Sequence, residues 1–256
     1  MFLNARISAI ALTVAAAAAS VAHAAPVIFS APVIFFGENQ SPGGLVSGNP
    51  STARASFLAN LSPGVGNQNF ESFGLGNTTS FSIPFTGSAG AITATISGDG
   101  EIRDSSTGGR FNTTPGGSKW FQQRGTSGLF EIEFSTAISA FGFYATDVGD
   151  FDGQLTLGLY NSANTLVRTL TVANTINGND ASLLFYGFID TGQSYKRIAF
   201  GSSKPGVDIF GFDDMVIGDR QQIFTPPSGV PEPGSLALVG LSLAGLAAAT
   251  RRKARK

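Results

Sequence analysis

The chain has 256 residues, of which 42% are hydrophobic and only 13% are charged, a composition too apolar for a disordered protein and poor in charge for a cytosolic one. It contains no cysteine and a single histidine, His23; because His23 lies in an N-terminal segment with the features of a cleaved leader, cysteine proteases, Ser-His-Asp hydrolases and Cys or His zinc sites are excluded. Residues 25–230 carry 16 acidic and 10 basic side chains, so we expect no nucleic-acid partner, since phosphate contacts need a basic surface.

Residues 1–24 have the pattern of a secretory signal peptide. Arg6 precedes an apolar stretch from Ile7 to Ala22, and small residues stand on either side of His23, where a signal peptidase reads the chain. The stretch is alanine-rich and shorter than the roughly 20 residues of a membrane span. The sequence therefore predicts secretion and cleavage after Ala24.

Residues 25–69 are predicted to form an extended segment with one short helix. A near-repeat, Ala-Pro-Val-Ile-Phe, occupies 25–29 and 31–35, and its prolines favour the start or edge of a sheet because proline lacks a ladder donor. Asn49 as the cap and Pro50 at the first position predict a helix start. The apolar stripe of this helix has a spacing of four residues and consists of Ala53, Phe57 and Leu61.

Residues 70–220 change to a period of two, which is typical of strands. In the run 129–134, three apolar side chains alternate with Glu131 and Glu133. Similar short runs occupy 81–85, 91–96, 138–144, 154–160, 166–172, 183–189, 197–200 and 207–217. Turn clusters rich in Gly, Asn and Pro separate them, without intervening helices. We therefore predict an all-β domain, an antiparallel, jelly-roll-like β-sandwich, with a closed barrel as the alternative.

The C-terminal end has three parts. A Pro/Gly/Ser linker at 221–230 leads to Pro231-Glu232-Pro233, which is followed by an apolar run at 235–250. Five cations end the chain: Arg251, Arg252, Lys253, Arg255 and Lys256. The run is marginal for a membrane-spanning helix, and the basic cluster predicts a cytoplasmic C-terminus with the preceding domain outside.

These parts at 231–256, in this order, resemble the tail of the PEP-CTERM class of bacterial surface proteins. The resemblance implies transient anchoring in the inner membrane, processing by an exosortase-type enzyme near Pro231-Glu232-Pro233, and transfer to the surface of an exopolysaccharide-producing Gram-negative bacterium. The phrases at 141–147, 184–190 and 208–214 look like the common ectodomain of this class. We therefore expect a non-enzymatic surface protein of the exopolysaccharide or biofilm layer; a plain C-terminal anchor helix is the alternative.

Two motifs far apart in the chain suggest a metal site. Asn69-Phe70-Glu71 opens the β region, and Phe212-Asp213-Asp214 nearly closes it. This plan resembles many carbohydrate-binding jelly-roll modules, and the resemblance implies a structural calcium between Glu71 and Asp213 or Asp214. Buried carboxylates need a cation or hydrogen bonds, so hydrogen bonding to turn amides is the alternative.

A second acidic segment, 146–153, is similar to a calcium loop at first sight. The EF-hand spacing fails, because Val148 and Leu159 occupy the first and twelfth positions. Asp147, Asp150 and Asp152 still offer hard oxygen ligands at irregular spacing. A cation site and a solvated loop both stay open.

A sugar-binding module is the first functional alternative. Sugar rings stack on exposed aromatic faces, and Trp120 is followed by Arg124, which is able to bind hydroxyls. A lone tryptophan in a sandwich is also a frequent core residue. Further aromatic candidates are Tyr144, Tyr160, Tyr186 and Tyr195.

A secreted glycoside hydrolase is the second alternative. Glu131 and Glu133 on one strand face resemble the acidic motif of laminarinase-type jelly-roll hydrolases, although Ser135 stands where that motif has a third carboxylate. Alternating glutamates are equally typical of a solvated strand face.

Overall fold

The computed structural model describes residues 31–78, 80–123, 130–204 and 208–224. All of them belong to one compact unit, Ile28–Thr225. The predicted signal peptide 1–24, the sorting tail 231–256 and Arg124 lie outside the described residues.

The described residues form thirteen strands and one α-helix. In chain order they are β1 (Val33–Asn39), α1 (Asn49–Leu58), β2 (Gly66–Gln68), β3 (Phe81–Gly87), β4 (Gly90–Ser97), β5 (Gly100–Arg103), β6 (Trp120–Gln123), β7 (Glu131–Ile138), β8 (Ala140–Thr146), β9 (Leu155–Tyr160), β10 (Leu166–Thr171), β11 (Leu183–Ile189), β12 (Tyr195–Ser202) and β13 (Gly211–Gly218). A short 3₁₀ turn, Arg220–Gln222, follows β13.

The strands form two separate antiparallel sheets. The seven-stranded sheet has the order β1-β11-β8-β13-β6-β5, with β2 also paired to β13. The six-stranded sheet has the order β10-β9-β12-β7-β4-β3. From β6 onward the chain changes sheet at almost every connection, which confirms the predicted jelly-roll-like sandwich rather than a closed barrel.

The alternation predicted for β7 is confirmed. Ile132 and Phe134 are buried between the sheets, Glu133 is exposed and Glu131 is half-buried. The central strands β8, β11 and β13 are buried along their whole length, because the outer face of their sheet is covered.

The inter-sheet core is built mainly from phenylalanine rings. Phe130 stacks on Phe200 at a centroid distance of 4.2 Å and meets Phe212 edge-on at 4.9 Å. Phe143 lies 5.5 Å from Phe200. Stacked and edge-to-face contacts are arrangements that aromatic rings prefer, and the Phe130–Phe212 and Phe143–Phe200 contacts join the two sheets directly.

A second apolar cluster lies under α1, on the outer face of the seven-stranded sheet. Phe57 is fully buried there, with its ring 5.6 Å from Phe35 and 5.6 Å from Phe185. A Cβ at Gly142 or Gly187 would lie within 3.0 or 2.9 Å of the Phe57 ring. Glycine at these positions of β8 and β11 therefore creates the space for the helix.

The apolar stripe of α1 is confirmed, whereas its predicted cap was wrong by one residue. Gly48 is the N-cap, without a side-chain hydrogen bond, and Asn49 is the first helical residue. Gly48 adopts φ 69°, which favours glycine. Leu61 lies beyond the helix end but is buried in the same cluster.

The second copy of the near-repeat forms β1 at a sheet edge, as predicted; the first copy, 25–29, lies outside the described residues. The strands β2, β5 and β6 were not predicted. They have only three or four residues each, too few for a period of two to be recognised. No helix within the described ranges is both long and apolar enough to cross a membrane.

We predict that Phe57→Ala lowers the free energy of unfolding by about 3–5 kcal/mol, because it leaves a cavity between α1 and the sheet. Leu75→Ala is the control, since Leu75 is 54% exposed and its loss is expected to change stability by no more than about 0.5 kcal/mol. Urea denaturation measures both. Equal losses for the two variants would contradict the role of Phe57.

Candidate functional site

An open polar groove of about 620 Å³ lies on the outer face of the six-stranded sheet. It is formed by β7, β12 and the turn between β9 and β10. The lining residues are Glu131, Glu133, Asn161, Ser162, Asn164, Lys196 and Arg197. Carboxylates, amides and cations thus face the same space.

Arg197 is the organising side chain of this groove. Its Nη1 donates to Glu131 Oε1 at 2.6 Å, and its Nη2 donates to Asn164 Oδ1 at 2.8 Å. The guanidinium also lies 3.6 Å above the ring centroid of Tyr160, a cation–π arrangement. The strand register explains the contact with Tyr160, because Arg197 on β12 pairs with Tyr160 on β9.

The Tyr160 ring lies along its own strand. A Cβ at Gly158 would lie 3.2 Å from this ring, so the absence of a side chain at Gly158 leaves the ring its place. The turn residue Asn164 adopts φ 53°, a conformation that asparagine tolerates better than most residues. The result is a planar cation, an aromatic ring and an amide held in fixed positions at the surface.

The groove gives the hydrolase alternative no support. A glycosidase acid is a carboxyl kept protonated near neutral pH, usually by burial. Glu133 is exposed, and the side chain of Glu131 is 45% exposed and ion-paired with Arg197. Both glutamates therefore have the solvated environment of an ordinary strand face.

Trp120 cannot serve as a sugar-stacking surface in this structure, because it is fully buried. Its ring packs against the backbone of Gly211, where a Cβ would lie 3.1 Å away. The core interpretation of Trp120 therefore fits, and Arg124, its predicted companion, lies outside the described residues.

The four tyrosines differ in their exposure to solvent. Tyr144, Tyr186 and Tyr195 are buried, and burial raises the pKa of Tyr144 and of Tyr195 to about 12. Tyr160 is half-exposed. It is therefore the one tyrosine of the four with a ring near a ligand-accessible groove.

Asp213 and Asp214 lie at a bulge in β13 and bind the loop between β5 and β6. Asp213 Oδ2 accepts hydrogen bonds from the Thr113 N–H at 2.8 Å and from the Thr113 hydroxyl at 3.0 Å. Asp214 Oδ1 accepts from the Thr114 hydroxyl at 3.2 Å. Burial, and next the charge of Asp214, raise the pKa of Asp213 to about 8.

Glu71 binds the end of the same loop, directly before β6. Its Oε1 accepts from the N–H groups of Ser118 and Lys119, both at 2.7 Å. Lys119 Nζ in turn donates to the carbonyls of Glu71 and Phe73. Glu71 and Asp213 thus accept hydrogen bonds from turn amides, the alternative to calcium, whereas Asp214 accepts from threonine hydroxyls.

Within the described ranges, one group of three carboxylates has ligand oxygens within 4.8 Å of one another: Asp147, Asp150 and Asp180. Asp180 lies in the loop before β11. Because it is far from Asp147 and Asp150 in the sequence, no local motif includes it. Asp152, the predicted third ligand, pairs instead with Lys204. The group can hold a metal ion, since hard cations prefer carboxylate oxygens.

Asp147 is the buried member of this group. Its Oδ2 accepts from Arg110 Nη1 at 2.7 Å and its Oδ1 from the Ala181 N–H at 3.1 Å. Burial raises the pKa of Asp147 despite these contacts. Burial, and next a hydrogen bond with Asp150, raise the pKa of nearby Asp208 to about 8. Acidic groups are thus concentrated at this end of the sandwich.

Comparison with known families decides the identity of the tail. Residues 229–253 match the family model of the PEP-CTERM protein-sorting motif. The chain carries a PEP-CTERM motif. This confirms the resemblance seen in the sequence, and the motif marks an exported protein that is sorted to the cell surface. No curated protein sequence matches the chain.

Among solved structures, similarity to the PEP-CTERM chain is low. The chain is 13% identical to the enzymatically active domain of bacteriophage CBA120 tailspike protein 4, with a TM-score of 0.30. The match covers 50% of this chain but only 19% of the tailspike chain. A family 22 carbohydrate-binding module of Clostridium thermocellum Xyn10B is 13% identical (TM-score 0.34; 52% and 88% covered). A DUF4465 family protein from Bacteroides ovatus is 12% identical (TM-score 0.33; 60% and 98% covered). Because these TM-scores are low, no ligand or activity of these proteins is attributed to the present chain.

Proposed function

We propose that this PEP-CTERM protein is a non-enzymatic component of the exopolysaccharide or biofilm layer of a Gram-negative bacterium. The observation that carries the proposal is the sorting motif at 229–253, which follows a sandwich domain. The chain has no cysteine and no histidine beyond His23, and Glu131 and Glu133 lack the burial of catalytic carboxyls. A display or binding role fits these properties better than catalysis.

The tail works as a temporary anchor in this proposal. The apolar run at 235–250 enters the inner membrane, and the basic cluster at 251–256 stays on the cytoplasmic side. The Pro231-Glu232-Pro233 segment is then held at the outer surface, within reach of an exosortase-type enzyme. Cleavage there frees the sandwich from a membrane helix of marginal length.

We predict that replacing Pro231, Glu232 and Pro233 by alanine makes the precursor accumulate in the inner-membrane fraction. Replacement of Pro226 and Pro227 in the linker is the control and should leave processing unchanged. Fractionation followed by mass spectrometry of the C-terminus measures both. Normal processing of the triple variant would refute the proposed role of the motif.

Binding of a neutral glycan in the groove is the second candidate function. The arrangement of Arg197, Tyr160 and Asn164 favours it, because the cation–π contact with the Tyr160 ring holds the Arg197 guanidinium in the groove, where it can bond sugar hydroxyls beside the Asn164 amide. The balance of Glu131, Glu133, Lys196 and Arg197 gives the groove no strong net charge, which suits an uncharged ligand.

We predict that Tyr160→Ala weakens retention on the host's exopolysaccharide about fivefold, because it removes the cation–π contact that positions Arg197 and such a contact is worth about 1 kcal/mol. Phe224→Ala is the matched control, because Phe224 is an exposed aromatic outside the groove. Affinity electrophoresis in polysaccharide gels measures the retention. Equal mobility of the Tyr160 variant and the native chain would exclude the groove as the binding site.

Calcium is the ion that we propose for the acidic group of Asp147, Asp150 and Asp180. Three carboxylates from two loops suit its flexible coordination by oxygen. Binding would neutralise like charges that otherwise repel, and it would fasten the segment after β8 to the segment before β11.

We predict that millimolar calcium raises the melting temperature of the chelator-treated chain, as for any ligand that binds only the folded state. Asp150→Asn should abolish the rise. Asp152→Asn, in the same loop but paired with Lys204, should retain it. Absence of any rise in the native chain would eliminate calcium.

A further inference from the structure

Four strands form the ends of the two sheets, and three of them have a backbone feature that hinders pairing with another chain. β3 has Pro84 at its centre, and β10 is bulged between Leu166 and Arg168. The short edge strand β5 meets Thr78 through an isolated bridge to Glu101. Proline, bulges, charge and short length are the common protections of edge strands.

β1 has only one such feature, the charge of Glu38. Its register with β11 is unbroken from Val33 to Asn39, and it contains neither proline nor a basic residue. Val33 and Ile34 are each 43% exposed. Among the described residues, none pairs with the outer edge of this strand.

An open groove of about 520 Å³ follows this edge. One wall is the stretch 34–38 of β1. The other wall is α1, through Asn49, Thr52, Ala53 and Ser56. These small side chains leave room beside the strand for another backbone.

We infer that β1 pairs antiparallel with β1 of a second copy of this chain, so that the two seven-stranded sheets become continuous. A two-fold axis at Phe36 would place Ile34 opposite Glu38 of the other copy and Val33 opposite Asn39. The same patch then serves both copies, as a two-fold interface requires.

The single charged residue of β1 is compatible with the pairing of two β1 strands. Glu38 is the one charged residue of β1, and it lies opposite an apolar residue. The two Glu38 side chains are four strand positions apart, about 14 Å at the usual rise per residue. This exceeds the screening length of about 8 Å at physiological salt.

The position of α1 also fits a second copy. The helix lies over β1 and β11, so its axis is about half a strand spacing, or 2.4 Å, inside β1. Two helices related across a new β1–β1 pair, itself about 4.8 Å wide, would then be about 10 Å apart. This is within the usual range for packed helices, and the exposed Thr52 and Ser56 would lie between them.

The exposed apolar side chain of Ile176 would also be covered in this dimer. The Glu38 carboxylate accepts hydrogen bonds from the Thr175 N–H at 3.1 Å and from the Thr175 hydroxyl at 2.7 Å. The next residue, Ile176, is 49% exposed. Ile34 of the second copy, opposite Glu38, would lie on this side and cover it, which removes apolar surface from water on both chains.

Sedimentation of the full-length chain in mild detergent tests the interface. The native chain should sediment as a dimer, and Ile34→Lys should shift it to a monomer with an unchanged circular dichroism spectrum. Leu166→Lys, on the protected edge β10, is the matched control and should leave the dimer intact. A monomeric native chain, as expected if residues 25–29 cover β1 within one copy, would overturn the inference.

A cross-link gives a second measurement that does not depend on the lysine variant. Because the chain has no cysteine, Thr52→Cys creates a single thiol on the groove side of α1. Oxidation should convert most of this variant to a disulfide-linked dimer, whereas Ser162→Cys, exposed on another surface, should not dimerise. Equal cross-linking of the two variants, or none at position 52, would overturn the inference.

Discussion

The Phe57 ring rests where two neighbouring strands have no side chain, at Gly142 and Gly187. A Cβ at either glycine would collide with the ring, so these positions let α1 approach the sheet closely. With the helix in place, the central strands of the seven-stranded sheet are buried on both faces. The outer surface of the six-stranded sheet is thereby left as the open β surface of the sandwich, and it holds the groove around Arg197. The helix also forms one wall of the groove beside β1, so the inferred dimer depends on the same contact.

Two groups of acidic residues differ in their hydrogen-bond partners. One group binds a loop through hydrogen bonds, and the other is a cluster of three carboxylates. Asp213 accepts a backbone hydrogen bond in the middle of one loop and Glu71 accepts two at its end, so both carboxylates have hydrogen-bond donors. Asp147, Asp150 and Asp180 instead bring like charges together, and Arg110 compensates only part of that charge. This difference in local compensation is why the calcium proposal rests on the second group and not on the first.

In the proposed function, sorting and binding depend on separate parts of the chain. In the proposed function, the tail acts through its short apolar segment and its basic flank. The sandwich offers a polar groove on one sheet and a sparsely protected edge on the other. In the proposed function and the inferred dimer, such a protein joins copies of itself while it contacts a glycan, as a matrix component does.

Several features follow from the sequence alone. The tail could be recognised because its motif, apolar run and cations are contiguous, and the alternation at 129–134 fixed which face of β7 is buried. Local periodicity also located most strands and the stripe of α1. Contiguous or periodic signals of this kind need no knowledge of what lies across the fold.

Tertiary structure alone decided which residues meet. Trp120 is buried and packs against Gly211 of β13, and Asp180 joins Asp147 because two distant loops converge. Arg197 reaches Tyr160 only through the register of β12 against β9. Such contacts depend on strand order and sheet packing, which pair residues dozens of positions apart, and no local pattern of side chains encodes that pairing.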